Sequence, residues 1–181
     1  MNRARLAVLL LCTLAVAFAA NAQETPEYEI FGGYSYIKVN EGGAGTSYDL
    51  QKGWSASISP NLNRWFGLTA DFSGHYETVG GTATRIHLFT FGPRFSIRRS
   101  ERFTPYFHVL AGGTRISTSF PTINASDTGF AGIGGGGFDV HVGDRFSVRM
   151  GQLDYVVTRF SGRYQHDFRY SAGVVFRFGS K

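Results

Sequence analysis

The chain has 181 residues, 43% of them hydrophobic and 15% aromatic, with a formal net charge of +5 at pH 7. That length suits one domain. Charged residues make up 17%, below the roughly 25% of an average soluble domain, whereas 24 glycines, 17 Phe and 9 Tyr are many; such a composition excludes coiled coils, helical repeats and disordered chains.

Residues 1–22 read as a cleaved signal peptide. Arg3 and Arg5 form a positive n-region, Leu6 to Ala20 is an apolar run, and Ala20-Asn21-Ala22 is a small-x-small cleavage site. The run is shorter than the roughly 20 residues that cross a bilayer as a helix. Cys12 has apolar residues on both sides, which suits a lipidation site badly. Residues 23–181 then form a single domain. Removing the leader takes away two arginines and the only cysteine. A secreted domain without disulfides needs another source of stability, and a closed hydrogen-bonded barrel would supply it. The remaining positive charge is scattered, so no nucleic-acid footprint is expected.

After Ala22 the recurring pattern is apolar–polar alternation with period two, the signature of strands. Eight segments show it. The first is Tyr28 to Val39, where Tyr28, Ile30, Gly32, Tyr34 and Tyr36 share one parity. The second, Gly53 to Leu62, alternates Trp54, Ala56 and Ile58 with three serines. The third, Trp65 to Tyr76, sets Phe66, Leu68, Ala70 and Phe72 against Gly67, Thr69, Asp71 and Ser73. The fourth, Thr84 to Ile97, carries Phe89, Phe91, Phe95 and Ile97 on one side; Pro93 within it predicts a bulge or a missing ladder bond.

The fifth segment, Phe103 to Ser117, sets Phe107, Val109 and Ala111 against Tyr106, His108 and Leu110. The sixth, Gly129 to Val142, contains Gly134 to Gly137, weak as a strand but useful where backbone must curve. In the seventh, Phe146 to Thr158, the parity slips near Gly151, so that Gln152 and Asp154 fall on the apolar side; a β-bulge there would restore it. The eighth is Asp167 to Phe178.

The connections alternate in length. Those at residues 62–64, 98–102 and 143–145 are short, and Arg64-Trp65, Arg102-Phe103 and Arg145-Phe146 repeat an Arg–aromatic pair there. Val39–Lys52, Glu77–Ala83, Thr118–Thr128 and Phe160–His166 read as longer, polar loops. Tight turns at one rim and long loops at the other are the asymmetry of an up-and-down membrane barrel. This count also places both termini at one rim.

Alternation alone leaves the inside and outside of such a barrel open. A soluble, lipocalin-like ligand-binding barrel turns its apolar face inward, and a membrane barrel reverses it. The minority face carries Glu29, Asp71, His75, Arg94, His108, Asp139, His141, Arg149, Arg169 and Arg177 among many Ser, Thr and Gly. Mixed charges of both signs suit a filled, hydrogen-bonded lumen in which small residues leave room for arginines. Aromatics near strand ends, among them Tyr34, Tyr36, Trp54, Trp65, Phe66, Tyr76, Tyr155, Phe160, Phe176 and Phe178, suit the lipid–water boundary. The expected fold is therefore all-β, an eight-stranded antiparallel up-and-down transmembrane barrel.

Ser171-Ala172-Gly173-Val174-Val175-Phe176-Arg177-Phe178 resembles the C-terminal β-signal of outer-membrane proteins, polar-x-Gly-x-x-aromatic-x-aromatic. The opening Glu29-Ile30-Phe31-Gly32-Gly33-Tyr34-Ser35-Tyr36, together with Asn63 to Leu68 and Gln152 to Tyr155, is similar to segments of the OmpA/OmpX-like family of eight-stranded outer-membrane barrels. The resemblance implies a barrel without the peptidoglycan-binding domain that often follows OmpA-type barrels, in a bacterium with two membranes. It implies outer-membrane lipids as surroundings. It also implies periplasmic chaperones and the barrel-assembly machinery as partners, with Ser171, Gly173, Phe176 and Phe178 as the assembly signal. It names no external ligand.

The sequence lacks the familiar catalytic patterns of such barrels and of hydrolases. None of the five histidines stands in His-x-Ser, the pair of deacylase barrels, and no G-x-S-x-G elbow occurs. His75 with Asp71 and Glu77 could bind a cation, and His108, Asp139 and His141 could make a metal site; a solvated strand end and a lumen hydrogen-bond network are the preferred readings. No enzyme activity and no cofactor are expected. The favoured function is structural or surface-interacting, through external loops, with a lumen plugged by polar side chains; a small-solute channel is the alternative.

Overall fold

The computed structural model describes residues 25–40, 47–79, 82–100, 102–119, 124–160 and 163–180. The expected leader over residues 1–22 lies outside them. The strands are β1 (Pro26–Asn40), β2 (Ser47–Leu50), β3 (Lys52–Pro60), β4 (Phe66–Val79), β5 (Thr82–Ser96), β6 (Phe103–Ser119), β7 (Asn124–His141), β8 (Phe146–Phe160) and β9 (Arg163–Ser180). Each pairs antiparallel with its neighbours in the order β2-β1-β3-β4-β5-β6-β7-β8-β9, and β9 pairs back onto β1 from Pro26↔Ser180 to Lys38↔Phe168. The sheet is closed, which removes the unpaired edges that hydrocarbon cannot satisfy.

β2 and β3 are two parts of one barrel strand. Both pair with β1, through Ile37↔Leu50 and Tyr34↔Trp54, so two residues of β1 face three of the partner. That is a β-bulge around Gln51, whose carbonyl accepts the Tyr34 hydroxyl. With the pair counted once, the barrel has eight strands, as the alternation predicts.

The apolar face points outward. Phe72 is 39% exposed, Phe91 56% and Val174 50%. Arg94 and Arg169 are 2% and 0% exposed. This is the reverse of a soluble ligand-binding barrel. Along β9, Phe168 and Phe178 are ten residues apart; ten residues make about 33 Å of strand, or about 25 Å along the axis at the usual tilt, the height of an outer-membrane apolar band. Near the strand ends that carry the short turns, outward rings meet in series. Tyr28 stacks on Phe178 at 5.3 Å, Phe178 on Phe176 at 5.8 Å, and Phe176 meets Phe146 at 5.2 Å. Further round, Phe103 meets Phe138 at 5.2 Å and Phe107 stacks on Phe95 at 4.8 Å.

Two local expectations hold in detail. The registers of β7–β8 and β8–β9 both shift beside Met150 and Gly151. This bulge turns Gln152 and Asp154 inward, both buried, and leaves Leu153 and Tyr155 outside. At Pro93, which has no N–H to give, the ladder to β6 passes over Gly92 and Pro93 and resumes in unchanged register. The defect is a missing bond, not a bulge.

The described residues of the four connections read as long loops are mostly strand. β4 and β5 stay paired to Val79↔Thr82, β6 and β7 to Ser119↔Asn124, and β8 and β9 to Phe160↔Arg163. Their polar, glycine- and threonine-rich sequence hid the period-two pattern, because strands that leave the membrane no longer need an apolar side.

The inward face is also not wholly polar. Leu88, Leu110, Ala131, Ile133 and Val156 are buried together inside the barrel, with Ile86 against them. This apolar layer lies on β5 to β8, toward the ends away from the short turns.

Candidate functional site

The inward side chains of β1 and β4 to β9 build one connected polar chain. At the end nearest the short turns, Arg94 on β5 reaches Glu29 on β1 (NH1–Oε2 3.0 Å) and Asp139 on β7 (NH2–Oδ2 3.1 Å). Arg149 on β8 takes both oxygens of the same aspartate, Nε to Oδ1 at 2.8 Å and NH2 to Oδ2 at 3.1 Å. This is the fork-on-fork geometry that favours arginine over lysine. Tyr106 lies between two guanidiniums, with Arg94 at 4.0 Å and Arg149 at 4.5 Å from its ring centre.

Gln152 is the neutral link to the next group. Its Oε1 accepts from Tyr106 Oη at 2.6 Å and Arg149 NH1 at 2.9 Å, and its Nε2 donates to Asp154 Oδ2 at 2.7 Å. Asp154 accepts from His108 Nε2 at 2.9 Å and from Arg169 NH2 at 2.7 Å. Arg169 completes the chain, donating from NH1 to Asp71 at 2.7 Å and to Ser73 at 3.0 Å.

The groups of this chain balance in charge. Four carboxylates, Glu29, Asp71, Asp139 and Asp154, face four guanidiniums, Arg94, Arg98, Arg149 and Arg169. Arg98, on the turn after β5, holds Glu29 and Asn61. Buried charge is tolerated only when paired and hydrogen-bonded, and here each arginine finds a carboxylate. Glycine supplies the room. A Cβ on Gly135 would come within 2.1 Å of Asp154 Oδ1, and one on Gly137 within 3.0 Å of Tyr106 Oη.

Of the residues singled out in sequence, Glu29, Asp71, Arg94, His108, Asp139, Arg149 and Arg169 are brought together in this chain. His141 and Arg177 sit apart, at the rim: Thr104 Oγ1 lies 3.1 Å from His141 Nε2, Arg177 NH1 3.0 Å from His141 Nδ1, and Arg177 NH2 donates to the Gly143 carbonyl at 2.7 Å. The cation reading of His75 with Asp71 and Glu77 does not fit, because Asp71 is taken by Arg169 and His75 Nε2 faces Ser35 Oγ at 3.0 Å. The metal reading fails likewise: Asp139 is held by Arg94 and Arg149, and His108 by Asp154.

Tyr106, Gln152, Asp154 and Arg98 belong to the chain without being candidates in the sequence. The parity slip at Gly151 was the signal for two of them.

In the terminal strand, Phe176 and Phe178 point outward, whereas Ser171 is buried with its hydroxyl 3.0 Å from that of Ser35. Gly173 faces Gly33 across the β1–β9 seam. A Cβ on Gly173 would lie 2.3 Å from the Gly32 carbonyl oxygen. The two strands that close the barrel thus touch through bare backbone.

The model of one protein family, the outer membrane protein beta-barrel domain, matches residues 6–179. No curated protein sequence matches the chain. Among solved structures it is similar to Ail, the attachment invasion locus protein of Yersinia pestis, in complex with the heparin analogue sucrose octasulfate (19% identity over 83% of this chain and 99% of that one, TM-score 0.59). It is similar to Neisserial surface protein A (11% identity, 87% and 100% covered, TM-score 0.68). The N-terminal barrel of Pseudomonas aeruginosa OprF is also similar (10% identity, 86% and 100% covered, TM-score 0.60). At these identities the structures speak for the fold alone, and it is the family model, spanning nearly the whole sequence, that assigns the chain to the outer-membrane β-barrel proteins.

Proposed function

We propose that this barrel is a closed wall of the outer membrane that meets its surroundings through the rim opposite Pro26 and Ser180, and that it carries out no catalysis. The observation that carries the reading is the charge-balanced chain from Glu29 to Arg169, which fills the interior of β1 and β4 to β9 with side chains committed to each other. The apolar layer of Leu88, Leu110, Ile133 and Val156 adds a dry section toward the far rim. An eight-stranded barrel is just narrow enough for side chains to fill.

Two observations support the surface role. Toward the rim away from the short turns the strands continue as paired ribbons, and these carry exposed Lys38, Lys52, Arg85, Arg115, Arg159 and Arg163. Such a cationic collar suits acidic polymers, in keeping with the heparin analogue bound by Ail. In this reading the rim of Pro26 and Ser180 faces the periplasm. Ser171, Gly173, Phe176 and Phe178 form the template by which the assembly machinery docks the last strand after chaperone delivery.

The test is conductance of the purified protein in a planar lipid bilayer. No stepwise current is expected. Regular ohmic steps that persist after repurification would overturn the closed lumen and favour the small-solute channel.

A further inference from the structure

At the rim where β1 begins and β9 ends, the inside of the barrel opens into a cavity of about 620 Å³. Arg64, Arg98, Arg102, Arg177 and His141 line it, with Glu29 and Asp144 as its carboxylates. Its electrostatics differ from those of the chain above it. Glu29 is already shared by Arg94 and Arg98. Arg64 and Arg98 hold each other's backbone: Arg64 Nε donates to the Arg98 carbonyl at 3.2 Å, and Arg98 NH1 donates to the Arg64 carbonyl at 2.7 Å. Arg177 is positioned by His141 and by the Gly143 carbonyl, and its buried Nε has no hydrogen-bond partner. Among the described residues no carboxylate lies within ion-pair distance of Arg64, Arg102 or Arg177.

Three guanidiniums thus face one cavity, two of them fixed by neutral acceptors, so their positions are set without an ion pair to any described carboxylate, and with Arg98 they outnumber the lining carboxylates Glu29 and Asp144 by four to two. Purely structural turn arginines would do as well with a carboxylate partner, as Arg98 shows. A group bearing several acceptor oxygens and more than one negative charge answers such an array best, and guanidinium forks match phosphate oxygens two at a time. We propose that this mouth binds a phosphate group, presented either by a phospholipid headgroup at the bilayer surface or by a soluble phosphate.

The experiment uses the folded barrel in dodecyl maltoside, a phosphate-free detergent, with the arginine Nε–H signals followed by NMR. Inorganic phosphate is titrated in one arm and dihexanoyl phosphatidic acid in the other, both at fixed ionic strength against chloride. Saturable shifts are expected, with apparent affinity at least tenfold weaker in Arg102→Gln, in Arg177→Gln or in both. Arg102 is exposed at its turn, so that variant keeps the test open if Arg177→Gln fails to give the folded, heat-modifiable band. Saturation by inorganic phosphate supports the site with a soluble source. Saturation by phosphatidic acid alone supports it with a lipid source. Non-saturating shifts with both probes, or saturation unaltered in every variant that folds, would overturn the proposal.

Discussion

Arg169 on β9 donates to Asp71 on β4 at 2.7 Å, although β1 and β3 stand between those two strands in the wall. Its other edge donates to Asp154 on adjacent β8, with Nε at 2.9 Å and NH2 at 2.7 Å. One planar group thereby ties both sides of the interior together. Removing it leaves two buried carboxylates without a cation, and breaking a buried pair this way costs about 3–5 kcal/mol. Arg169→Met is expected to lower the free energy of unfolding in urea by that amount, read by the shift between folded and unfolded bands on unheated gels. Asp71→Asn combined with Arg169→Gln should recover part of the loss, because fewer bare charges remain.

Two neighbouring glycines should respond in opposite ways. On Gly135 an added methyl would collide with Asp154 Oδ1 and with the Leu153 carbonyl, 2.5 Å away, whereas on Gly134 it would meet nothing within 4 Å. Gly135→Ala is expected to destabilise by about 1–3 kcal/mol, as overpacking does. Gly134→Ala should be neutral or stabilise by up to about 1 kcal/mol through the unfolded chain. Equilibrium unfolding of the two variants side by side checks both signs.

The apolar layer inside the barrel gives a third expectation. Leu110 is 1% exposed and packs with Leu88, Ile133 and Val156. Leu110→Ala should cost about 2–5 kcal/mol, the range for a leucine truncated in a close-packed site. Val109→Ala, next to it on the lipid side, should cost far less in detergent, where the surrounding tails close over the gap. Equal losses at the two positions would count against an interior that is dry at this level.

The last strand separates stability from assembly. Phe176 and Phe178 contact Phe146 and Tyr28 on the outside, at 5.2 and 5.3 Å. Aromatic pairs contribute about 0.5–1.5 kcal/mol each beyond their burial. The double variant Phe176→Ala, Phe178→Ala should still refold spontaneously into detergent, at a modest loss of stability. It should be much slower in a reconstituted assembly reaction, where the strand must be recognised before the barrel closes. Equal slowing in both reactions would leave the rings a purely structural part.

The strand count was readable from alternation, because a wall one residue thick has to sort its side chains by parity; the inside-out polarity needed the mixed charges of the minority face and the aromatics near strand ends as well. Asp71, Asp139, Arg94 and Arg169 could be placed inside for the same reason. Their partners could not, since Arg169 and Asp71 are almost a hundred positions apart and only the register of four strands brings them together. Leu110 shares the inward parity of Tyr106 and His108, but parity does not show that it joins Leu88 in an apolar layer, because an inward leucine follows the same parity as an inward serine. Beyond the membrane the rule lapses altogether, and so the strand ends paired through Thr118↔Ala125 and Ser119↔Asn124 read as part of a loop. Arg98 escaped because turn residues have no parity to betray their direction.

Pro26 and Ser180 lie opposite each other where β1 meets β9. The cylinder therefore has no preferred first staves, and its two ends could be spliced by a few residues while a new opening is cut beside Val79 and Thr82. Such a circular permutant would keep the same ring of ion pairs but present β4 as its final segment. Its ability to mature in a living cell would reveal whether the cell inspects the finished shape or only the last stretch of polypeptide to arrive.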